Sequence, residues 1–510
     1  MNYFIKIIYV HFILRFKSFK KNILFNDLNF KKLDFTNYNQ IKSFIFKDSF
    51  FKLRHKHVQS FDFLNFSQNL GGKIGIELSR KSILDWQTVY KNNMGYPWSE
   101  DLVSRRLINI LYNYEYINSS STVAENKILN KIIIYHMYRV IFDIRNKKLS
   151  AITSYDILAS TLSFFILNKK NKINFEFINQ IISKQIDNLG MHKSYNVVEH
   201  AKFLNNLNEL KNILLYFGHN ISPKIGQNII KMTSILNEYF HKDGSIPLFN
   251  GSNNNYNKII YNSINKEEYL KSRRFSNTKN GLAFFEDKKI KVFFDVVQPN
   301  KYKISENLGA GTLSFELSCI DEKIITNCGA SESFGKNPEY LRYSAAHSTI
   351  ILQNTNISEI KENNPHIKFP QSVTFDSNNL DNKIVFEGSH NGYLKKFDKI
   401  VKRKIEIKLN ENKLLGEDSI ISYKNPNKRI IYHIRFHLVD GMSFNFTNSR
   451  KNIILKTKKN NMWLFKSNNL LVVEDSILVD YNKTMPTKQI VIKGITNNTK
   501  EINKWSLEKI

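Results

Sequence analysis

The sequence predicts two parts of different class, an all-helical N-terminal part followed by an antiparallel β-sandwich. Three observations carry this reading. Apolar residues recur at helical spacing behind recognisable N-caps as far as Gly218. Composition changes near Asn280-Gly281. Beyond that point, short runs of alternating apolar and polar residues are separated by Asn, Gly and Pro turns. That is the pattern of antiparallel strands, not of a parallel sheet.

The start, MNYFIKIIYVHFILRFKSFKK, is apolar but broken by Lys6, His11 and Arg15. It falls short of the roughly 20 apolar residues that a spanning helix needs. No small-x-small cleavage site follows, which argues against a secretory signal. A first helix docked on the helical domain is expected here, with a membrane-surface amphipathic helix as the alternative. Residues 20–60 show no clean period. Farther on, Phe61, Phe63, Trp86 and Trp98 are aromatic anchors. Ser99 is an N-cap, with Glu100 and Asp101 in the first turn where the helix dipole favours them. Leu102, Val103, Leu107, Ile110 and Leu111 follow as an apolar stripe. Thr122 and Glu125 have capping-box spacing and open an apolar helix through Ile141. Residues 157–167 are a further apolar stretch, and Asn196 to Glu199 is a second box-like start before a helix that Gly218 ends. Helices joined by short loops are αα-hairpins.

The net charge of +30 comes from 75 Lys and Arg against 45 Asp and Glu. Such a field draws in an acidic polymer. A compositional bias that enriches Lys, Asn, Ile and Phe together explains the same number, since the lysines are spread along the chain. No zinc-finger spacing, RNA-binding signature or helix-turn-helix is present, so nucleic acid is not expected as a partner. The two cysteines, Cys319 and Cys328, make neither a disulfide framework nor a Cys-rich zinc site. Both are expected as small buried hydrophobes.

The β part centres on residues 309–352. Leu313, Phe315, Leu317 and Cys319 alternate with Thr312, Ser314, Glu316 and Ser318, the period of a half-buried strand. Ile324-Ile325 and then residues 350–352 give two more strands. Later strands are expected at 384–387, 401–409, 431–438 and 470–473. The succession LSFEL, NCG and RYSAAHST closely resembles the C-terminal domain of the bacterial heparinase II/III-like family. SFDFLNFSQNL and YPWSEDLVSRRLINIL extend the resemblance upstream. It implies an α/α-toroid over residues 60–280 and an antiparallel β-sandwich over 281–510, with 1–59 an unassigned basic and apolar segment. It further implies a polysaccharide lyase that cleaves uronate-containing chains by β-elimination. An acidic polysaccharide is then the partner, no integral membrane span is expected, and the cell envelope or periplasm is the expected location, with the cytoplasm as the alternative.

Such a lyase neutralises the sugar carboxylate, removes the C5 proton and protonates the departing O4 oxygen. In GMHKSYN, His192 matches the family position near the substrate carboxylate, and Tyr195 and Asn196 follow it. Asn196 also fits as a helix N-cap. DGSIPLFNG resembles a second cleft loop, but Phe249 stands where the catalytic tyrosine falls nearby, with Tyr256 and Tyr261 not clearly aligned. Relatives place His-x-His before LSFEL, where this chain has Asn307 and Gly309, and their metal-binding acid matches Asn327. Only His347 of that set remains, and a zinc site wants three or four ligands. No metal and no other cofactor is therefore expected. His347 is a base candidate or a buried structural histidine. His390 and Tyr393, in SHNGY, are a candidate acid/base pair or loop residues, and Arg342 is a candidate for the uronate carboxylate. His192, Tyr195, His347 and His390 are thus the catalytic set, with Asn196, Asn307, Arg342 and Tyr393 binding substrate. The alternative is a glycan-binding or envelope-assembly protein that keeps the fold without catalysis. His433, Arg435 and His437 alternate on one strand and read as a solvated face.

Overall fold

The computed structural model describes residues 14, 47, 49–70, 72–91, 94–167, 174–257, 260–261, 264, 281–299, 307–331, 338–360, 368–409, 411–425, 428–480 and 483–510. Apart from Leu14, the apolar N-terminal stretch lies outside them. The chain divides into two compact units, Met1–Gln185 with Lys202–Ile229, and Ile186–Ala201 with Ile230–Ile510.

The first unit is helical. Its elements are α1 (Phe63–Leu70), α2 (Gly72–Val89), α3 (Glu100–Tyr112), α4 (Tyr114–Asn118), α5 (Val123–Asn146), α6 (Ser154–Leu167) and α7 (Phe175–Gln185). Helices α8 (Val197–Tyr216) and α9 (Pro223–Glu238) run from one unit into the other. The capping box of α5 forms as its spacing predicts, Thr122 accepting from the Glu125 amide and Glu125 from the Thr122 amide. Ser99 occupies the N-cap of α3 but makes no side-chain bond there. Gly218, at φ 76°, follows the end of α8, and its amide donates to the Leu215 carbonyl. The aromatic anchors are core. Trp86 packs on Phe61 and Trp98, and the Arg106 guanidinium lies 4.2 Å from the Trp86 ring. Fully buried, Arg106 donates to His136 Nε2 and to the Gln59 and Pro97 carbonyls. No helix among the described residues is long and apolar enough to cross a membrane.

After residue 280 the class changes, and the fold is an α/α-toroid followed by an antiparallel β-sandwich. The strands are β1 (Leu282–Glu286), β2 (Ile290–Asp295), β3 (Phe315–Cys319), β4 (Glu322–Thr326), β5 (Ile350–Leu352), β6 (Val373–Leu380), β7 (Lys383–His390) and β8 (Lys399–Lys408). They continue as β9 (Lys413–Ser422), β10 (Ile431–Leu438), β11 (Ser443–Phe446), β12 (Asn452–Lys456), β13 (Met462–Ser467), β14 (Leu471–Asp480), β15 (Lys483–Ile495) and β16 (Lys500–Lys509). Among the described residues they form two eight-stranded sheets. One runs β1-β2-β3-β4-β10-β15-β14 with β5 on β10, the other β11-β12-β13-β16-β9-β8-β7-β6. Phe315, Leu317, Phe436, Phe465 and Trp505 fill the shared core, where Trp505 stacks on Phe315. Arg403 of β8 pairs with Asp418 of β9 inside this core and donates to the Leu313 and Ser348 carbonyls. It thereby ties the second sheet to the loops that flank β3 and β5.

Two sequence expectations need correction. β3 is buried on both faces, not half-buried, because Glu316 and Ser318 meet His241 in place of water. His437 is likewise no solvated residue. It is buried, bonded to Ser476 Oγ at 2.7 Å and to the Ala345 carbonyl at 3.0 Å. Both cysteines are buried and free, as expected.

Candidate functional site

Within the second unit, three loops meet at Asn250-Gly251. The first precedes α8. Gly190 sits at φ 97°, and a β-carbon there would lie 2.8 Å from Lys231 Cβ, so only glycine fits. Asp187 accepts the Leu189 and Met191 amides and closes the turn. Tyr195 is left-handed at φ 50°, which aims the chain into the helix. Asn196 then caps α8, its Oδ1 accepting from the Val198 and Glu199 amides.

Asn250 is the hub. Its carbonyl accepts from Asn196 Nδ2 at 3.0 Å, its own Nδ2 donates to the Tyr195 carbonyl at 3.3 Å, and its Oδ1 accepts from the Gly309 amide at 3.2 Å. A β-carbon on Gly251 would lie 3.2 Å from Asn196 Nδ2 and 3.5 Å from Asn307 Cβ. Asn196 and Asn307 therefore flank one glycine, the first buried and the second exposed.

The third loop carries Gly309 and Gly311, against which the His347 ring packs. His347 Nδ1 donates to the Tyr343 carbonyl at 2.8 Å. In the neutral ring this leaves Nε2 as the acceptor, and Nε2 is the atom beside Gly309. Burial lowers the His347 pKa to about 4, so the ring is neutral at pH 7. His192 has the opposite tautomer. Its Nδ1 accepts from the Ser194 hydroxyl at 2.8 Å and the Ser194 amide at 3.4 Å, placing the proton on Nε2. Burial takes its pKa to about 4 as well. Burial also raises the Tyr195 phenol, helped by Asp187 and Asp295, so it stays protonated. Arg342 donates from Nε to the Leu308 carbonyl at 3.2 Å, and its own carbonyl accepts the Ala310 amide at 2.7 Å. Its side chain and backbone together hold the Asn307–Gly311 loop in place.

His390, the last residue of β7, and Tyr393, in the turn that follows, stand together with their rings 5.6 Å apart. His390 Nδ1 accepts the Gly392 amide, and Tyr393 donates to the Thr355 carbonyl. Both side chains are buried in the β-sandwich. Phe249 is fully buried and Tyr256 nearly so, whereas Tyr261 is exposed. Asn327 donates to Glu316 and accepts the Ser348 amide. Among the described residues no group of three or more His, Cys, Asp or Glu side chains has the geometry of a metal site.

Sequence reasoning passed over three residues. Asn250 carries no motif of its own. Asp295 closes an apolar strand and is buried. Burial lifts its carboxyl to about 8, partly offset by the Val297 amide that it accepts. Glu316 reads as the polar side of a half-exposed strand, yet its carboxylate accepts from His241 Nε2, Lys323 Nζ, Asn327 Nδ2 and the Leu248 amide. Burial pushes Glu316 up, but Lys323 and the His241 bond outweigh it and hold the pKa near 2. Lys323 also donates to the Ile246 carbonyl. This buried pair therefore pins the strand of chain that leads to Asn250. The one available signal was a Glu in an otherwise uncharged strand followed seven residues later by Lys323.

Residues 271–506 match the family described as heparinase II/III-like, C-terminal. No curated protein matches the chain. Among solved structures, a heparan sulfate lyase from Pedobacter heparinus superposes with a TM-score of 0.61 at 13% identity, covering 97% of this chain and 87% of that one. A heparinase III gives 0.67 at 12% identity, with 98% and 88% covered. A Paenibacillus xanthan lyase gives 0.52 at 10% identity, with 99% and 57% covered. At these identities the likeness establishes the fold, and the family match covers the sandwich. Residues 271–506 are thus a heparinase II/III-like C-terminal domain, on a chain whose fold is shared with these structures.

Proposed function

We propose that this protein is a polysaccharide lyase that cleaves an acidic, uronate-containing polysaccharide by β-elimination at the junction around Asn250-Gly251. The observation that carries the reading is the convergence there of Asn196, Asn307 and the acceptor nitrogen of His347. Each has a chemical task. The amides of Asn196 and Asn307, with the Nε2 proton of His192, are neutral donors suited to a uronate carboxylate as charge moves onto it. His347 Nε2, neutral and unprotonated at pH 7, takes the C5 proton. Tyr195, held in its protonated form, gives one to the departing O4. Atoms balance: the C5–H and C4–O4 bonds break, a C4–C5 double bond forms, and no water is consumed. Arg342 supports the loop from behind and supplies positive potential to the carboxylate. His390 and Tyr393 serve the turn that they close. An acidic glycan as substrate fits a place in the cell envelope or periplasm.

A second reading, a glycan-binding protein that keeps the fold, is favoured by Phe249, which is buried and unable to move a proton. One experiment separates the two. Purified protein is incubated with heparan sulfate, hyaluronan, alginate and xanthan, and the unsaturated product is followed by its ultraviolet absorbance. Product with any of them supports the lyase. Salt-sensitive retention on the same polymers with no product supports the binding protein.

A further inference from the structure

The outer face of the second sheet is charged and unpartnered among the described residues. Strands β8, β9, β16 and β13 lie side by side, and Lys404 and Lys504 are each directly opposite Glu417, from the two sides. A trough of about 450 Å³ opens here, lined by Lys404, Glu406, Glu417, Lys466 and Lys504 with Asn468. Two of these charges are already spent. Glu406 pairs with Lys383 and Lys408, and Lys466 pairs with Glu508. Lys404 and Lys504 form no ion pair among the described residues, so the trough keeps two uncommitted ammonium groups against one carboxylate. Their backbones stand two strand spacings apart, about 10 Å, and Asn468 at the rim accepts the Lys504 amide and donates to the Ile502 carbonyl.

We propose that this face is a second docking site for an anionic polysaccharide, reading the chain as a row of regularly spaced negative groups. Two ammonium groups carried on backbones about 10 Å apart suit a polymer whose anionic groups are separated by neutral hydroxyls, and those hydroxyls meet the Glu417 carboxylate. Nucleic acid suits it less, because the Glu417 carboxylate lies centrally between the lysines, where a phosphate backbone of closer charge spacing would meet it. The site retains long chains and raises their local concentration; it performs no chemistry. It rests on the acidic-polysaccharide reading for the class of ligand only.

The test compares the full chain, the double variant Lys404→Gln/Lys504→Gln, and a control of equal charge change, Lys127→Gln/Lys224→Gln, both exposed positions in the helical unit. Binding to long heparan sulfate, hyaluronan and alginate chains is measured at several salt concentrations, with dextran and single-stranded DNA as further probes. The expected result is a loss of roughly ten-fold in affinity for at least one anionic polysaccharide in the sheet variant, with a shallower salt dependence, and little change in the control. Equal losses in both variants, no loss in the sheet variant, or a loss confined to DNA overturns the proposal. Absence of any elimination product leaves this result standing and counts against the cleft reading alone.

Discussion

The His347 imidazole lies so close over Gly309 that a β-carbon on the glycine would sit 2.6 Å from Nε2. The ring thus occupies the space that any side chain at 309 would need. Gly309→Ala is therefore expected to displace His347 and weaken its bond to the Tyr343 carbonyl. Overpacking of this kind costs about 1–3 kcal/mol. Urea unfolding checks it, and unchanged stability would mean that the ring moves aside freely.

Glu316→Gln should be more damaging. The substitution leaves Lys323 buried without its counter-charge, which costs about 3–5 kcal/mol, and loosens the Ile246 and Leu248 backbone that leads to Asn250. Proteolysis should then cut first within residues 243–254. Intact loops with a small stability loss would contradict the pinning role.

Acid should destabilise the protein early. His192, His347 and His390 are held neutral by burial at pKa values of about 4, 4 and 3, against about 6.5 when unfolded. The unfolded chain therefore binds more protons between these limits, and stability present above pH 6.5 is lost as pH falls toward 4. Glu316, depressed to about 2, adds to the loss only below about pH 4.5. Denaturation midpoints from pH 8 to pH 4 should fall on this course, and a flat profile would argue against neutral burial of these rings.

Asp295 acts with the opposite sign. Its folded pKa of about 8 lies above the unfolded value, so its contribution to stability falls as pH rises from about 4 to 8. Asp295→Asn keeps an acceptor for the Val297 amide and should stabilise the protein at pH 8 by at least about 1 kcal/mol, with a smaller gain at pH 5. The same gain at both pH values would show that its ionisation is not involved.

These cases mark what was legible in the sequence. Helix caps are local, so the Thr122–Glu125 box and the Asn196 cap could be read directly. So could β10, where alternation gave residues 431–438, the span observed. The burial of Glu316 and His437 could not be read, because their partners, His241 and Ser476, lie 75 and 39 residues away. A polar residue opposite an apolar one looks solvated until something else covers it. The hub went unseen for the same reason: Asn250 joins Asn196 to Gly309 through bonds 54 and 59 residues apart in sequence. Nothing in its neighbours marks it.

The most direct measurement is the appearance of unsaturated product from uronate polymers with the native chain and with His347→Gln, which keeps a polar side chain but cannot take the proton. The native protein should release product from at least one polymer. The variant, still folded by circular dichroism and still retained on that polymer, should be slower by about 10²–10⁴-fold. Equal rates in the two proteins, or no product from the native chain with every polymer, would contradict the proposed β-elimination at His347.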